Sequence, residues 1–220
     1  MGQIQTITQG QKRILDRVSK NKYFGENFYF TGGTALSYFY LSHRFSDDLD
    51  FFTDKPFDRE VVFNLISIWS KEDKFTFSSR FIEVVYRFDL LFNNKQHFKV
   101  DFSYYPYKQI SKGKSYNLLA IDSLTDIATN KLLTINQRND IKDFVDLYFL
   151  LKKNFNIWEL IDNREAKFKH KVDILLLAED LLKIEEFPTL PKMAKPLTLK
   201  TLKNYFRQLA ISLGKQAVTK

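Results

Sequence analysis

The amino-acid sequence predicts an α+β fold, a mixed β-sheet with flanking helices followed by a helical C-terminal region. Between residues 14 and 101, short apolar runs alternate with segments of helical periodicity. After about Tyr116 the apolar residues recur only at helical spacing, and prolines between residues 187 and 196 interrupt that pattern. This change predicts two domains, an α/β domain over residues 1–116 and a helical domain over residues 117–220.

Each domain has recognisable elements. Strands are predicted in the first domain at residues 28–31, 48–52, 82–92 and 97–104. The last two flank Asn93-Asn94, which tolerates the left-handed backbone of a hairpin turn. A short helix is expected at residues 35–41, and another after Asp58, which is suited to cap it. Helices are predicted in the second domain around residues 124–135, 144–151, 171–182 and 199–213.

Composition narrows the class of protein. The 220 residues are 44% hydrophobic and 27% charged, as in a globular protein. The absence of Cys excludes disulfides, thiolate zinc sites and cysteine nucleophiles. Phe is abundant, at 22 residues. Because each Phe ring buries a large apolar area, these residues are expected to fill the core and not to stack on nucleic-acid bases. The core is predicted to include Phe28, Phe30, Phe51, Phe52, Phe81, Phe88, Phe98 and Phe102.

Charge and the N-terminal pattern indicate the cellular context. The formal net charge of +8 favours an anionic partner, which could be RNA, DNA or a nucleotide. Residues 1–20 mix polar and charged side chains with no continuous apolar segment, so neither a secretory signal nor a membrane anchor is expected. A soluble cytoplasmic protein with no membrane partner is therefore predicted.

Gly32, Gly33 and Thr34 lie between a predicted strand and a predicted helix. Backbone N–H groups at the start of a helix can bind phosphate, and glycines let a phosphate approach them closely. The hydroxyl of Thr34 can add a bond to a phosphate oxygen. The same three residues would also suit a plain turn with Thr34 as the helix cap.

Asp48 and Asp50 are two apart on a predicted strand, so both carboxylates point to the same face. Oxygen ligands of this kind suit Mg²⁺ or Mn²⁺, with substrate phosphates and water completing the coordination. Acidic residues at the end of a strand are also common as solvated loop residues. An isolated Asp-x-Asp would favour that simpler interpretation.

Asp101 lies in an apolar strand segment and could face the same cleft as Asp48 and Asp50. Three carboxylates could hold two metal ions, and Asp101 would lie beside the attacking group or act as general base. The alternative is an edge-strand aspartate that faces water.

Charged residues in the helical region form a further candidate cluster. Lys131 lies in a largely apolar helical turn, where a triphosphate would balance its charge. Asp143 and Asp146 project from one face of the next helix, although surface salt bridges would explain this pair equally well. His43, His97 and His170 lack ligand spacing and are taken as ordinary surface or core residues.

Four ordered motifs together resemble the AbiEii/AbiGii toxin family of nucleotidyltransferases. They are residues 29–36 with Gly32-Gly33-Thr34, residues 43–52 with Asp48 and Asp50, residues 99–102 with Asp101, and residues 130–148 with Asn130-Lys131-Leu132, Arg138 and Asp146. The resemblance implies a polymerase-β-like nucleotidyltransferase fold with a helical C-terminal region.

The resemblance also implies roles for individual residues. Gly32, Gly33 and Thr34 would hold the triphosphate, Asp48, Asp50 and Asp101 the metals, and Lys131 the nucleotide phosphates. Asp146 would take a catalytic or structural position. Arg44 and Ser46 would orient the acidic strand or contact phosphate.

A Mg²⁺- or Mn²⁺-dependent toxin is thereby expected, from a toxin–antitoxin or phage-defence pair. It would transfer a nucleoside monophosphate from an NTP to RNA, most readily tRNA, and would have a cognate antitoxin. A nucleotidyltransferase acting on small molecules such as antibiotics, and a non-catalytic RNA-binding protein of the same fold, remain open as alternatives.

Overall fold

The computed structural model describes residues 5–218, without the side chain of Val218, so the outermost residues of both predicted domains lie outside it. The helices are α1 Gln9–Lys20, α2 Lys22–Asn27, α3 Gly32–Leu36, α4 Arg59–Asp73, α5 Leu124–Gln137, α6 Ile141–Lys153, α7 Ile157–Phe168, α8 Ile174–Leu182 and α9 Leu199–Val218. The strands are β1 Tyr29–Thr31, β2 Leu49–Thr53, β3 Phe75–Ile82, β4 Val85–Phe92, β5 His97–Tyr104, β6 Ser115–Tyr116 and β7 Leu119–Ile121. A π-helical turn at Ser37–Leu41 follows α3, and a 3-10 turn at Lys183–Glu186 follows α8.

Within residues 5–218 the strands form one mixed sheet, in the order β3-β4-β5-β2-β1-β7-β6. β2 runs parallel to β5 and antiparallel to β1, while β7 runs parallel to β1. The two central strands β2 and β1 are therefore flanked on both sides. Their order brings the residues that follow β1 and those at the start of β2 to the same end of the sheet, beside β5.

One face of the sheet is covered by α1, α2 and α4, and aromatic rings join α2 and α4 to it. Phe24 of α2 stacks on Phe102 of β5 with ring centroids 5.0 Å apart, and Phe102 stacks in turn on Phe51 of β2 at 5.2 Å. Phe63 of α4 contacts Phe77 of β3 edge-on. Such pairs add to the stabilisation from burial alone. The predicted core role of phenylalanine is confirmed for most of the named rings.

Phe81 is the exception, because its side chain is 46% exposed at the tip of the β3–β4 hairpin. The prediction that it fills the core is wrong. Its ring instead supports the guanidinium of Arg59, whose Cζ lies 4.6 Å from the ring centroid. Phe52 is only partly buried, on the face of the sheet opposite Phe51.

The α+β fold class predicted from the sequence is confirmed. Asp58 caps α4 as predicted, its carboxylate accepting the backbone N–H of Glu60 and Val61. The sheet extends beyond residue 116, however, because β7 pairs with β1 through Tyr29 and Phe30. The predicted division after residue 116 therefore falls within the β6–β7 hairpin. No helix between residues 5 and 218 combines the length and apolarity that a membrane span requires.

Candidate active site

A cleft of about 280 Å³ lies between the sheet face opposite α1 and helix α5. Its floor comes from the ends of β1 and β2, and α5 with the residue after it forms one wall. The loop after β5 supplies aromatic side chains to the other wall. The lining residues include Gly32, Gly33, Asp50, Phe52, Tyr105, Tyr107, Asn130, Lys131, Gln137 and Arg138.

Gly32 and Gly33 begin α3 and line the cleft. Gly32 has a φ of +75°, a left-handed backbone in which a side chain is strained. A Cβ atom at Gly32 would overlap the Asp50 carboxylate, and one at Gly33 would overlap the Arg44 guanidinium. Gly32 is therefore required by its backbone conformation and by the close approach of Asp50, and Gly33 by the close approach of Arg44.

Thr34 and Ser46 lie beside this loop but have different surroundings. Thr34 is fully buried, and its hydroxyl donates to the backbone carbonyl of Asp48. That bond uses the only proton of the hydroxyl, so the predicted contact with phosphate is replaced by a clamp between α3 and the acidic strand. Ser46 is partly buried, and its Oγ lies close to Gly33.

Asp50 lines the cleft from β2, and Asp48 lies two residues earlier, immediately before the strand. Neither carboxylate has a hydrogen bond or an ion pair within residues 5–218. Burial, reinforced by Asp101 and Asp48, raises the pKa of Asp50 to about 7. Burial also raises the pKa of Asp48. Carboxylates that lack a partner in such surroundings favour a bound cation.

Asp101 is directly opposite Asp50 in the parallel β2–β5 register, as its predicted place beside Asp50 requires. Its carboxylate is held by Arg87 of β4 in a two-pronged ion pair, with Nε 2.8 Å from Oδ1 and Nη2 2.6 Å from Oδ2. Sequence reasoning did not single out Arg87. The register of the predicted hairpin could have identified it, because that register places Arg87 directly opposite Asp101.

The donor chemistry of Asp48 and Asp50 fits a hard divalent cation such as Mg²⁺. In the present arrangement of side chains, however, the described residues contain no group of three or more His, Cys, Asp or Glu that could hold a metal ion. The predicted set of three carboxylates is not assembled, because Asp101 is bound by Arg87. The fit to a metal therefore rests on Asp48 and Asp50.

Lys131 reaches the cleft from α5 and is almost fully buried. Its Nζ lies 2.6 Å from Asp143 Oδ1 and 2.6 Å from Asp146 Oδ2, so these two carboxylates provide the balancing charge. Burial would lower the pKa of Lys131, but Asp146 and Asp143 raise it above its usual value. An ammonium has three donors, and the third is left for a ligand in the cleft.

Asp146 is the centre of a buried ion network. Its Oδ1 accepts Arg44 Nε at 2.6 Å and contacts His43 Nε2 at 2.7 Å, and its Oδ2 accepts Arg44 Nη2 at 2.8 Å. Burial opposes ionisation, but Arg44 and Lys131 hold the pKa of Asp146 well below its usual range. Asp143 is bound by Arg138 as well as by Lys131. The alternative interpretation of Asp143 and Asp146 as members of surface salt bridges is wrong, because both carboxylates are fully buried.

Arg44 and His43 serve the interior of the protein. Arg44 is 1% exposed and commits two donors to Asp146, so the geometry favours its predicted role in orienting the acidic segment over contact with phosphate. Burial lowers the pKa of His43, which keeps the imidazole neutral beside Asp146. The sequence predicts an ordinary residue at His43, since the histidines lack ligand spacing, and its partner Asp146 lies 103 residues away along the chain.

The aromatic wall of the cleft is held in place by another buried carboxylate, that of Asp126. Asp126 accepts the backbone N–H of Ile110 at 2.8 Å and that of Ser111 at 3.1 Å, and it binds Lys167 of α7 at 2.7 Å. These bonds fix the loop after β5, in which Tyr105 donates to Asn130 Oδ1 at 3.3 Å. The amide NH₂ of Asn130 is then the part left to donate to a ligand.

Comparisons with known structures identify the fold. JHP933 from Helicobacter pylori matches 97% of this chain and 95% of its own, with a TM-score of 0.58 at 19% identity. MenT4, a nucleotidyltransferase toxin from Mycobacterium tuberculosis, matches 92% of this chain and 82% of its own, with a TM-score of 0.59 at 15% identity. At these identities the likeness concerns the fold, which is that of a nucleotidyltransferase.

Sequence comparison then places the chain in a family. The family described as "Nucleotidyl transferase AbiEii toxin, Type IV TA system" matches residues 13–217. An uncharacterized protein of Aquifex aeolicus is 35% identical over 165 residues, which cover 73% of this chain and 75% of the relative. The chain belongs to the AbiEii nucleotidyltransferase toxin family, as its four motifs predict.

Replacement of Gly32 tests the close approach of Asp50 to the start of α3. Gly32→Ala is expected to lower the free energy of unfolding by about 2 kcal/mol, because the left-handed backbone becomes strained and the methyl group displaces the Asp50 carboxylate. The matched control is Gly214→Ala in α9, where a Cβ meets no atom within 4 Å. That change should raise the unfolding free energy by about 0.5–1 kcal/mol. Urea denaturation measures both, and equal effects of the two variants would contradict the argument.

Removal of one charge from the buried network should be strongly destabilising. Asp146→Asn is expected to lower the free energy of unfolding by about 3–5 kcal/mol, because Arg44 and Lys131 lose their shared counter-ion while buried. Asp47→Asn is the matched control, since Asp47 is 74% exposed and pairs with Lys142 at 3.4 Å. That variant should change stability by less than about 1 kcal/mol. Denaturant titrations that give similar losses for both would refute a special role for the network.

Proposed function

We propose that this chain transfers a nucleoside monophosphate from an NTP to an RNA acceptor, most readily tRNA, in the cytoplasm. The observation that carries the proposal is the pair of carboxylates, Asp48 and Asp50, which lack a partner within the described residues, with Asp50 directly beside Gly32. Family membership supports the transferase class and implies an NTP substrate and an antitoxin. A role in phage defence belongs to the same proposal.

In this proposal the nucleotide lies in the cleft between β1, β2 and α5. The backbone N–H groups of Gly32 and Gly33 and the third donor of Lys131 bind its phosphates. Phe52, Tyr105 and Tyr107 form an apolar wall for the base, with Asn130 as a hydrogen-bond donor. Arg138, at the mouth of the cleft, adds a second cation.

Asp48 and Asp50 would hold a divalent cation, Mg²⁺ or Mn²⁺. When bound, the metal supplies charge neutralisation for the triphosphate and polarises the reacting oxygens. In the transfer, the acceptor hydroxyl oxygen forms a bond to the α-phosphorus, and the bond from that phosphorus to pyrophosphate breaks. The hydroxyl proton passes to the carboxylate of Asp101, which adjoins Asp50 in the sheet.

An RNA acceptor is supported by charge. Residues 151–220 contain fourteen Lys and Arg against eight Asp and Glu, so most of the net positive charge lies in the helical C-terminal part. A basic surface of this kind attracts a polyanion and increases the rate of encounter.

The proposal is tested by incubating the full chain with total RNA, MgCl₂ and each of the four α-³²P-labelled NTPs in turn. At least one NTP should label a band that RNase removes, and EDTA should prevent the labelling. Asp50→Asn should reduce labelling about 100-fold or more, because a metal ligand is lost. Asp47→Asn, in the same motif but exposed, should retain it.

Three outcomes are informative. Undiminished labelling by Asp50→Asn would overturn the proposed chemistry. RNase-resistant labelling of a small molecule would replace RNA by a small acceptor. RNA binding with no labelling under any NTP would favour a non-catalytic RNA-binding protein. Sequencing of RNA 3′ ends from the labelled sample then identifies the acceptor.

A further inference from the structure

A row of paired residues continues from the cleft to the outer edge of the sheet. In register across five strands lie Thr31 of β1, Asp50 of β2, Asp101 of β5, Arg87 of β4 and Arg80 of β3. Directly paired residues point to the same face of a sheet. The two carboxylates are thus followed, on the side away from the nucleotide cleft, by two arginines.

We infer that Arg87 and Arg80 bind phosphates of the acceptor RNA strand, and that Arg87 releases Asp101 when the acceptor takes its place. The inference rests on the proposed transfer to RNA. It assigns the acceptor to the outer part of the sheet face, opposite the side of Asp50 on which the nucleotide binds.

This part of the sheet face is accessible. The Arg80 side chain is 56% exposed and the Arg87 side chain 28% exposed. Thr76 and Ser78 lie on the same face of β3 as Arg80, at every second position, and are exposed as well. The helix that packs on β3 covers the opposite face, where Phe63 contacts Phe77. A strand of nucleic acid can therefore lie across β3 and β4 without displacing any element of the fold.

The two arginines are an unfavourable pair without an anion. Like charges directly opposite each other on neighbouring strands are destabilising. The charge of Arg87 is balanced by Asp101, but among residues 5–218 the one ion-pair partner of Arg80 is Asp89, at 3.7 Å. A phosphate between the two guanidinium groups would relieve this repulsion. Arginine is well matched to phosphate, because its donors form the same fork with phosphate oxygens as with a carboxylate.

The Arg87–Asp101 pair occupies both oxygens of the carboxylate. One lone pair on each oxygen of Asp101 is thereby engaged, so the carboxylate has its full accepting capacity for an acceptor hydroxyl only when Arg87 has moved away. A phosphate of the acceptor can replace the Asp101 carboxylate as the anion that binds the Arg87 guanidinium. It would lie on the side of Arg87 away from Asp50. Exchange of that partner would bring the acceptor to the site and free Asp101 in the same step. Arg87 is thus a positioning residue for Asp101 as well as a phosphate ligand.

The first test is equilibrium binding, which needs neither metal nor turnover. The full chain is titrated against a fluorescein-labelled single-stranded oligoribonucleotide at several salt concentrations. Arg87→Gln and Arg80→Gln should each reduce the slope of log K against log salt by about 0.7, the value for one phosphate contact on a single strand. Arg59→Gln is the matched control, because Arg59 packs on Phe81 at the same hairpin, on the opposite face. It should leave the slope unchanged.

The second test separates the two roles of Arg87. With labelled NTP and RNA, Arg87→Gln should raise the KM for RNA about tenfold. Without RNA it should release pyrophosphate faster than the wild type, because Asp101 is then free to serve an attacking water. Arg87→Lys keeps the charge and should restore most of the RNA affinity. Thermal melting of each variant shows that it is folded.

Unchanged salt slopes and RNA KM values in both Arg87→Gln and Arg80→Gln would overturn the inference. So would a loss of binding in Arg59→Gln equal to theirs. If the slopes fall as expected but the wild type transfers no nucleotide, the RNA surface stands and the proposed transfer fails. The two hypotheses are therefore distinguished by the binding measurement.

Discussion

The buried ion network around Asp146 is the constraint on which the site depends. Two carboxylates, Asp143 and Asp146, face three cations, Arg44, Lys131 and Arg138, while burial keeps His43 neutral. Buried ions are costly to desolvate, so none of these groups can leave without exposing the others to an unbalanced charge. The network thereby fixes α5 against α6 and against the loop that leads to Asp48. It also holds Lys131 at the cleft with one positive charge in excess.

The C-terminal part of the chain completes this arrangement. The backbone of Phe45 donates to the carbonyl of Lys192, and Ala194 and Lys195 both donate to the carbonyl of His43. The proline-rich segment before α9 therefore covers the loop that bears His43 and Arg44. A segment whose prolines exclude a helix is well suited to this purpose, because its backbone groups remain available for pairing. The segment before α9 therefore supports the site, although the named motifs end at residue 148.

Local features could be predicted from the sequence because they depend on near neighbours. The spacing of Asp48 and Asp50, the cap at Asp58 and the hairpin at Asn93-Asn94 all belong to this class. The partners of buried charges could not be predicted, since Arg44 and Asp146 are 102 residues apart and nothing local distinguishes a buried ion pair from an exposed one. Strand β3 was missed for a related reason. Its outer residues are exposed on an edge, so the apolar pattern that marks a strand is weak there.

The distribution of paired and unpaired charges supports the proposal that the cleft binds a nucleotide together with its metal ion. Lys131 and Arg44 are paired, yet their network retains a surplus of positive charge, whereas Asp48 and Asp50 have no counter-ion among residues 5–218. A free triphosphate would satisfy Lys131 but would be repelled by the two carboxylates. A free divalent cation would balance the two carboxylates but would leave the surplus positive charge at Lys131 without a counter-ion. A nucleotide that carries its own metal ion meets both requirements at once, since each half of the ligand faces the charge opposite to its own.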